Sequence, residues 1–103
     1  TILFVGASDV YKRQPLTKAQ LKRIAMTGHD GIARAVRPAH SPLDGDTLFA
    51  VSTAVEKAPV RDVEVLAMLG EAAAGAVQAA IVDAVVGADS AFGVTAWRDL
   101  VGR

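Results

Sequence analysis

The chain has 103 residues, enough for one domain or for one piece of a larger one. Hydrophobic residues make up 51% of it, much of that Ala and Val, with Trp97, Tyr11 and three Phe as the large rings. Eleven basic residues balance eleven acidic ones, which argues against a nucleic-acid footprint, and the lack of Cys excludes disulfides and thiolate metal sites.

Ile2-Leu3-Phe4-Val5 reads as a short strand ended by Gly6, and its unbroken apolar run suits burial on both faces. Thr17-Lys18-Ala19-Gln20 fits a capping box, with Leu16 and Leu21 placed for a hydrophobic staple. From there Leu21, Ile24, Ala25, Gly28, Ile32, Ala35 and Val36 recur at helical spacing. Pro38 ends that helix by about Arg37. Gly28 and Gly31 each weaken a helix by about 1 kcal/mol relative to Ala, so this one is expected to lie close against another backbone.

RPAHSPLDGDT, with its Pro, Gly and Asp, is a loop. It feeds TLFAVSTA, a second strand with neither face strongly polar, expected in an interior position. Glu56–Arg61 is a polar connector holding Pro59. Asp62 is placed to cap a long helix running to about Val86, with Gly87 as its stop. Glu64, Glu71 and Gln78 recur every seven residues and draw one thin polar stripe on an apolar cylinder. Such a helix is expected to be buried on most of its circumference. The same three residues with Asp83, among many Ala and Gly, make membrane insertion costly. The tail FGVTAWRDLVGR adds a helical turn around Trp97. No secretory signal is legible in the short run ILFV, and a soluble cytoplasmic protein is expected.

The order is therefore β-α-β-α, an α/β arrangement. Two strands alone make a marginal sheet, so the chain is expected to meet partner segments.

Asp44-Gly45-Asp46-Thr47 places two carboxylates two residues apart just before the second strand. Such a pair can bind a substrate ammonium and orient an attacking amine. Asp and Gly also shape turns routinely, and that alternative stays open. His40, four residues before Asp44, is a candidate general acid or base, or simply a packing residue. His29-Asp30 falls within the helix and reads as structural. Without i,i+4 pairing these groups make no metal set, and no Gly-rich turn forms a phosphate loop, so no metal or cofactor is expected.

Four pieces in order carry a family resemblance: PLTKAQLKR, HDGIARAVRP, HSPLDGDT with LFAVSTA, and AWRDL. Together they resemble the C-terminal part of the L-aminopeptidase/D-esterase family, which includes the β-peptidyl aminopeptidases. The resemblance implies a four-layer αββα sandwich related to that of ornithine acetyltransferase. It implies a precursor that cuts itself in two, the new N-terminal Ser or Thr of the second chain acting as nucleophile. A hydroxyl needs an adjacent base, and a free α-amino group, titrating at roughly 7.7–8.0 in model peptides, supplies one. Family second chains resemble a Ser or Thr, a few apolar residues, then Ala-Thr-Asp-Ala-Pro-Leu. Here Thr1, Ile2 to Val5, Ala7, Ser8 and Asp9 follow that cadence, Tyr11-Lys12-Arg13-Gln14 intrudes, and Pro15-Leu16 resumes it. Residues 1–14 are thus either the family's first strand or adapter-derived sequence, since VGASDVYKRQ resembles a translated sequencing adapter. Residues 15–103 correspond to the C-terminal part of the peptidase domain.

By this resemblance Thr1 is the candidate nucleophile, Asp46 the assisting acid, and Asp44 stands where a Ser is common. The implied activity is removal of N-terminal residues from short peptides, amides or esters through an acyl-enzyme. The implied partners are the first chain of the same precursor and further copies of the protein, and the isolated piece is expected to be inactive. Acyl transfer ranks below hydrolysis. The reading from another class is a non-catalytic α/β assembly subunit.

Overall fold

The computed structural model describes residues 2–5, 16–52 and 62–101, the first of these stretches as backbone. Thr1, the cadence from Ala7 to Pro15, the end of the second strand at Thr53–Ala54 and the Glu56–Arg61 connector lie outside the described residues. So do the side chains of the first strand, whose expected burial on both faces therefore stands as an expectation.

The elements run β1 (Ile2–Val5), α1 (Lys18–Ala35), β2 (Phe49–Ser52), α2 (Val63–Gly87) and α3 (Trp97–Val101). The order is that read from the residues. The strands pair in parallel, with Ile2 opposite Phe49 and Val5 opposite Ser52. Parallel pairing needs a crossover, and α1 supplies it.

The start of α1 is a complete capping box. The Gln20 amide donates to Thr17 Oγ1 at 3.2 Å, and the Thr17 amide donates to Gln20 Oε1 at 2.9 Å. Two otherwise orphaned amides are satisfied by one reciprocal pair. At the other end Val36 is extended and its amide donates to Ile32 O at 2.8 Å. The helix thus stops just ahead of Pro38.

α1 and α2 meet along a seam of small residues. Ile24, Gly28, Gly31 and Ile32 are buried on one side, and Gly70, Ala73, Ala74 and Val77 on the other. A Cβ on Gly31 would stand 2.1 Å from the Ala74 carbonyl oxygen, so only glycine permits this approach. This is the close backbone contact expected of Gly31, and Gly28 is buried along the same side of the helix. Gly70 is opposed by Thr27, and Gly31 by Ala74. Partners advance together along both helices, which therefore run in the same direction, as a parallel β-α-β-α order requires.

Sequence expectation and structure part company on α2. Its buried residues fall at i, i+3, i+4 and i+7, a single seam. Val63, Met68, Val82, Val85 and Val86 are exposed. The helix is not buried on most of its circumference, because among the described residues α1 covers one flank and α3 and β1 touch it only in part. By length and composition alone it could cross a membrane. Against that, its seam packs on α1 and its Glu71 pairs with Arg34.

Asp62 caps α2 as expected, accepting from the Glu64 amide at 2.9 Å. Gly87 is not the stop: it is the last helical residue, and Ala88 forms the C-cap. The chain turns later, at Phe92 and Gly93, where φ reaches 53° and 80° inside an Ala91–Val94 antiparallel bridge. Two successive positive φ values define a tight reversal that glycine tolerates at its second position. Ser90 Oγ then accepts from the Ala96 amide at 2.6 Å and donates to Asp99, while Arg98 pairs with Asp89. These contacts hold α3 at the base of the turn.

Nor is β2 an interior strand on both sides. Ala50 and Ser52 are half-buried, whereas Phe49 and Val51 are 57% and 43% exposed. The helices occupy one face of the sheet, and the outer face of β2 is open.

Candidate functional site

The loop from Val36 to Leu48 carries two of the three candidate residues. Its ends are fixed by burial: Ala39 and Leu48 join Ile32 and Val77 in one apolar cluster. Removing apolar surface from water contributes about 25 cal/mol per Å², and this cluster ties the loop to both helices. Between those anchors the chain swings outward, and residues 42–47 are exposed.

Ser41 organises the outward part. Its Oγ accepts from the Leu43 amide and its carbonyl from the Asp44 amide, both at 3.1 Å. A serine folding the chain over itself is a familiar local turn device. The turn sets Asp44 and Asp46 in solvent immediately before β2. Among the described residues neither carboxylate has an ion-pair partner. The turn-shaping alternative is met largely by Ser41, which leaves both carboxylates available.

The parallel register gives this loop its place in the fold. Because Ile2 lies opposite Phe49, both strands begin at the same edge of the sheet. The segment Asp44–Thr47 leads into β2 at that edge. Thr1 itself lies outside the described residues.

The structure also joins two residues that sequence reasoning kept apart. His40 Nε2 and His29 Nδ1 are 3.4 Å apart, with ring centroids 5.5 Å apart at a 46° tilt. His29 sits near the end of α1, and the chain reverses after Pro38 to bring His40 back over it. Eleven residues of separation hide this from any periodicity argument. The available signal was the breaker Pro38 between two histidines, which foretells a reversal but not its register.

Two clefts lie elsewhere. One of about 220 Å³ is lined by Ala35, Ile81, Val82, Val85, Val86 and Trp97. The other, of about 440 Å³, lies between α1 and the first half of α2, with Arg23 and Glu71 among its walls. Neither includes Asp44 or Asp46.

Comparison with known proteins places the chain among peptidases. An aminopeptidase of Mycobacterium leprae, itself called uncharacterized, is 40% identical over 103 aligned positions, covering 91% of this chain and 27% of the relative. Uncharacterized aminopeptidases of Mycobacterium tuberculosis and Mycobacterium bovis are each 36% identical over 94 positions, covering 82% of this chain and again 27% of theirs. The chain thus spans about a quarter of the length of these curated relatives. No solved structure matches it. The model of peptidase family S58 matches residues 1–97, nearly the whole chain, and with the relatives above this shows that the chain belongs to peptidase family S58, the L-aminopeptidase/D-esterase family.

Proposed function

We propose that this chain is the nucleophile-bearing C-terminal part of an N-terminal-nucleophile aminopeptidase or amidase. One observation carries the reading: the parallel register brings the beginnings of β1 and β2 to one edge of the sheet. At that edge a residue preceding Ile2 and the carboxylates of the Asp44–Thr47 loop would share a substrate. The family match supports a peptidase reading.

The chemistry follows from groups of this chain. The free α-amino group of Thr1 takes the proton from the Thr1 hydroxyl as its oxygen attacks the scissile carbonyl. The resulting tetrahedral adduct collapses, the ammonium returns its proton to the leaving amine, and an ester to Thr1 remains. Water, deprotonated by the same amine, then attacks that ester and frees the acid, restoring the hydroxyl. Asp46 receives the substrate's own ammonium, and Asp44 adds negative charge beside it. Charge-assisted contacts of this kind are about twice as strong as neutral ones and fix orientation as well as affinity. No cofactor enters the scheme.

The remaining walls of the site come from a first chain, released with this one by self-cleavage of a common precursor. The two complete a four-layer αββα sandwich of the kind also found in ornithine acetyltransferase. The open face of β2, with Phe49 and Val51 bare, supports a further layer there. In this reading the protein works in the cytoplasm as a homo-oligomer on short peptides, amides or esters, and the chain alone is inactive. The test is release of nitroaniline from aminoacyl-nitroanilides by the chain co-expressed with the rest of its precursor. Turnover should be lost in Thr1→Ala; turnover unaffected by that change removes Thr1 from the mechanism.

The exposed apolar flank of α2 favours a second reading, a non-catalytic assembly subunit. It predicts a discrete oligomer of the chain alone in sedimentation, insensitive to Asp46→Ala.

A further inference from the structure

We infer that the turn at Phe92 and the cleft beside Trp97 form a reciprocal contact between two copies of this chain, the Phe92 ring of each seated in the cleft of the other. The turn is a held projection. Phe92 is fully exposed at φ 53°, a left-handed conformation that Gly, Asn and Asp adopt more readily than a bulky residue. The Ala91 amide donates to Val94 O at 3.1 Å and the Val94 amide to Ala91 O at 2.9 Å. Ser90 Oγ, accepting from the Ala96 amide, and the Asp89–Arg98 pair fix the base of the turn on α3. An apolar ring is thus kept in water, on an unfavourable backbone, by the contacts around it. Such outliers persist where their surroundings impose them, and they cluster at binding clamps. A ring presented in this way has little freedom left to lose on association.

The same chain carries a cleft that matches the ring. The cleft of about 220 Å³ has only aliphatic side chains and Trp97 on its walls. An apolar cavity of about 150 Å³ is enough to hold benzene. Val82, Val85, Val86 and Trp97 are each about half exposed, so the mouth is open. Being fully exposed, Phe92 does not fill the cleft of its own chain. Only five positions separate Phe92 from Trp97, so projection and cleft are neighbours on one surface. A two-fold axis between them seats both rings at once and closes the assembly at two copies. Val94, Leu100 and Val101, exposed on the same segment, extend the apolar contact. Aromatic anchors in pockets carry most of the binding energy of interfaces. The second copy is the occupant because the chain itself supplies the ring that fits. This inference rests on the homo-oligomer of the reading above and gives it a surface, and it needs no part of the catalytic scheme.

The experiment is sedimentation equilibrium of the full chain over a concentration series, with tryptophan fluorescence recorded on the same samples. Trp97 is the only tryptophan of the chain, so its emission reports on the cleft alone. The expected result is a dimer whose Trp97 emission moves to shorter wavelength as it forms. Phe92→Asn and Val85→Glu should each weaken dimerisation at least tenfold and hold the emission at its monomer position. Asn accepts a positive φ, so Phe92→Asn keeps the turn and removes the ring, and it keeps the test decisive should Val85→Glu fail to fold. A monomeric wild-type chain overturns the contact and the homo-oligomer together. A dimer with unmoved Trp97 emission, or wild-type dimerisation in Phe92→Asn, overturns the contact alone. Turnover is measured separately, so neither outcome bears on the Thr1 chemistry.

Discussion

The α1–α2 seam and the outer face of β2 draw on the same apolar alphabet and end in opposite conditions. Along the seam Ile24 is 1% exposed and Ala74 fully buried, and Gly31 touches the Ala74 carbonyl with no room for a methyl group. On the sheet, Phe49 and Val51 face outward, and the second half of α2 leaves Val82, Val85 and Val86 bare. The seam is completed by residues that lie within one β-α-β-α unit. Among the described residues the open side has no comparable seam, so its apolar residues are left to act on something added to it. The difference separates what this chain can stabilise alone from what it offers to others.

The strongest way to break that contrast is to cut into the seam. Ile24→Ala removes the largest fully buried side chain among the described residues and should lower stability by about 3 kcal/mol, within the roughly 2–5 kcal/mol range for such truncations. Urea denaturation followed by circular dichroism checks it. A loss below about 1 kcal/mol would mean that the seam is not the stabilising half.

Gly31→Ala probes the same contact from the other direction. Alanine gains about 1 kcal/mol of helix propensity over glycine, but its methyl group would stand 2.1 Å from a backbone oxygen. Overpacking of this kind costs about 1–3 kcal/mol, so net destabilisation of about 1 kcal/mol is expected in the same denaturation experiment. A stabilised variant would show that the helices part freely.

On the open side the effects should appear in function. Asp46→Asn, measured in the reconstituted two-chain protein, should reduce kcat/KM about tenfold, equivalent to about 1.4 kcal/mol, chiefly through KM. The substitution keeps the shape of the loop and removes the charge. Val51→Ser should change the stability of the chain alone by no more than about 0.5 kcal/mol, as for other exposed positions. The same variant should impair assembly with the first chain, measured by co-purification. Equal behaviour of Val51→Ser and Ile24→Ala would erase the contrast.

Much of this was legible before any coordinates. Thr17 and Gln20, Asp62 and Pro38 are local signals acting within a turn of helix, and all of them operate as read. The seam glycines were legible as well, because glycine in a helix interior has a cost that only a close neighbour offsets. What escaped was the extent of cover. Periodicity along α2 says which residues are apolar, but burial depends on how much of the helix its neighbours cover, and among the described residues α1 alone packs along it. The His29–His40 meeting escaped for a related reason: it depends on the path of the loop after Pro38, and that path is fixed by Ala39 and Leu48 entering the core cluster. The Asp44–Asp46 pair was found by motif resemblance. Its placement at the edge where both strands begin came from the parallel register, which residue order alone does not specify.

The central claim is that chemistry happens at that edge, on the residue preceding Ile2. The direct measurement is peptide mass mapping of the reconstituted protein, acid-quenched during turnover of an aminoacyl ester. The account predicts an aminoacyl adduct on the peptide that begins at Thr1, absent when Thr1 is replaced by Ala. An adduct on another residue, or undiminished turnover by the Thr1→Ala protein, would contradict it.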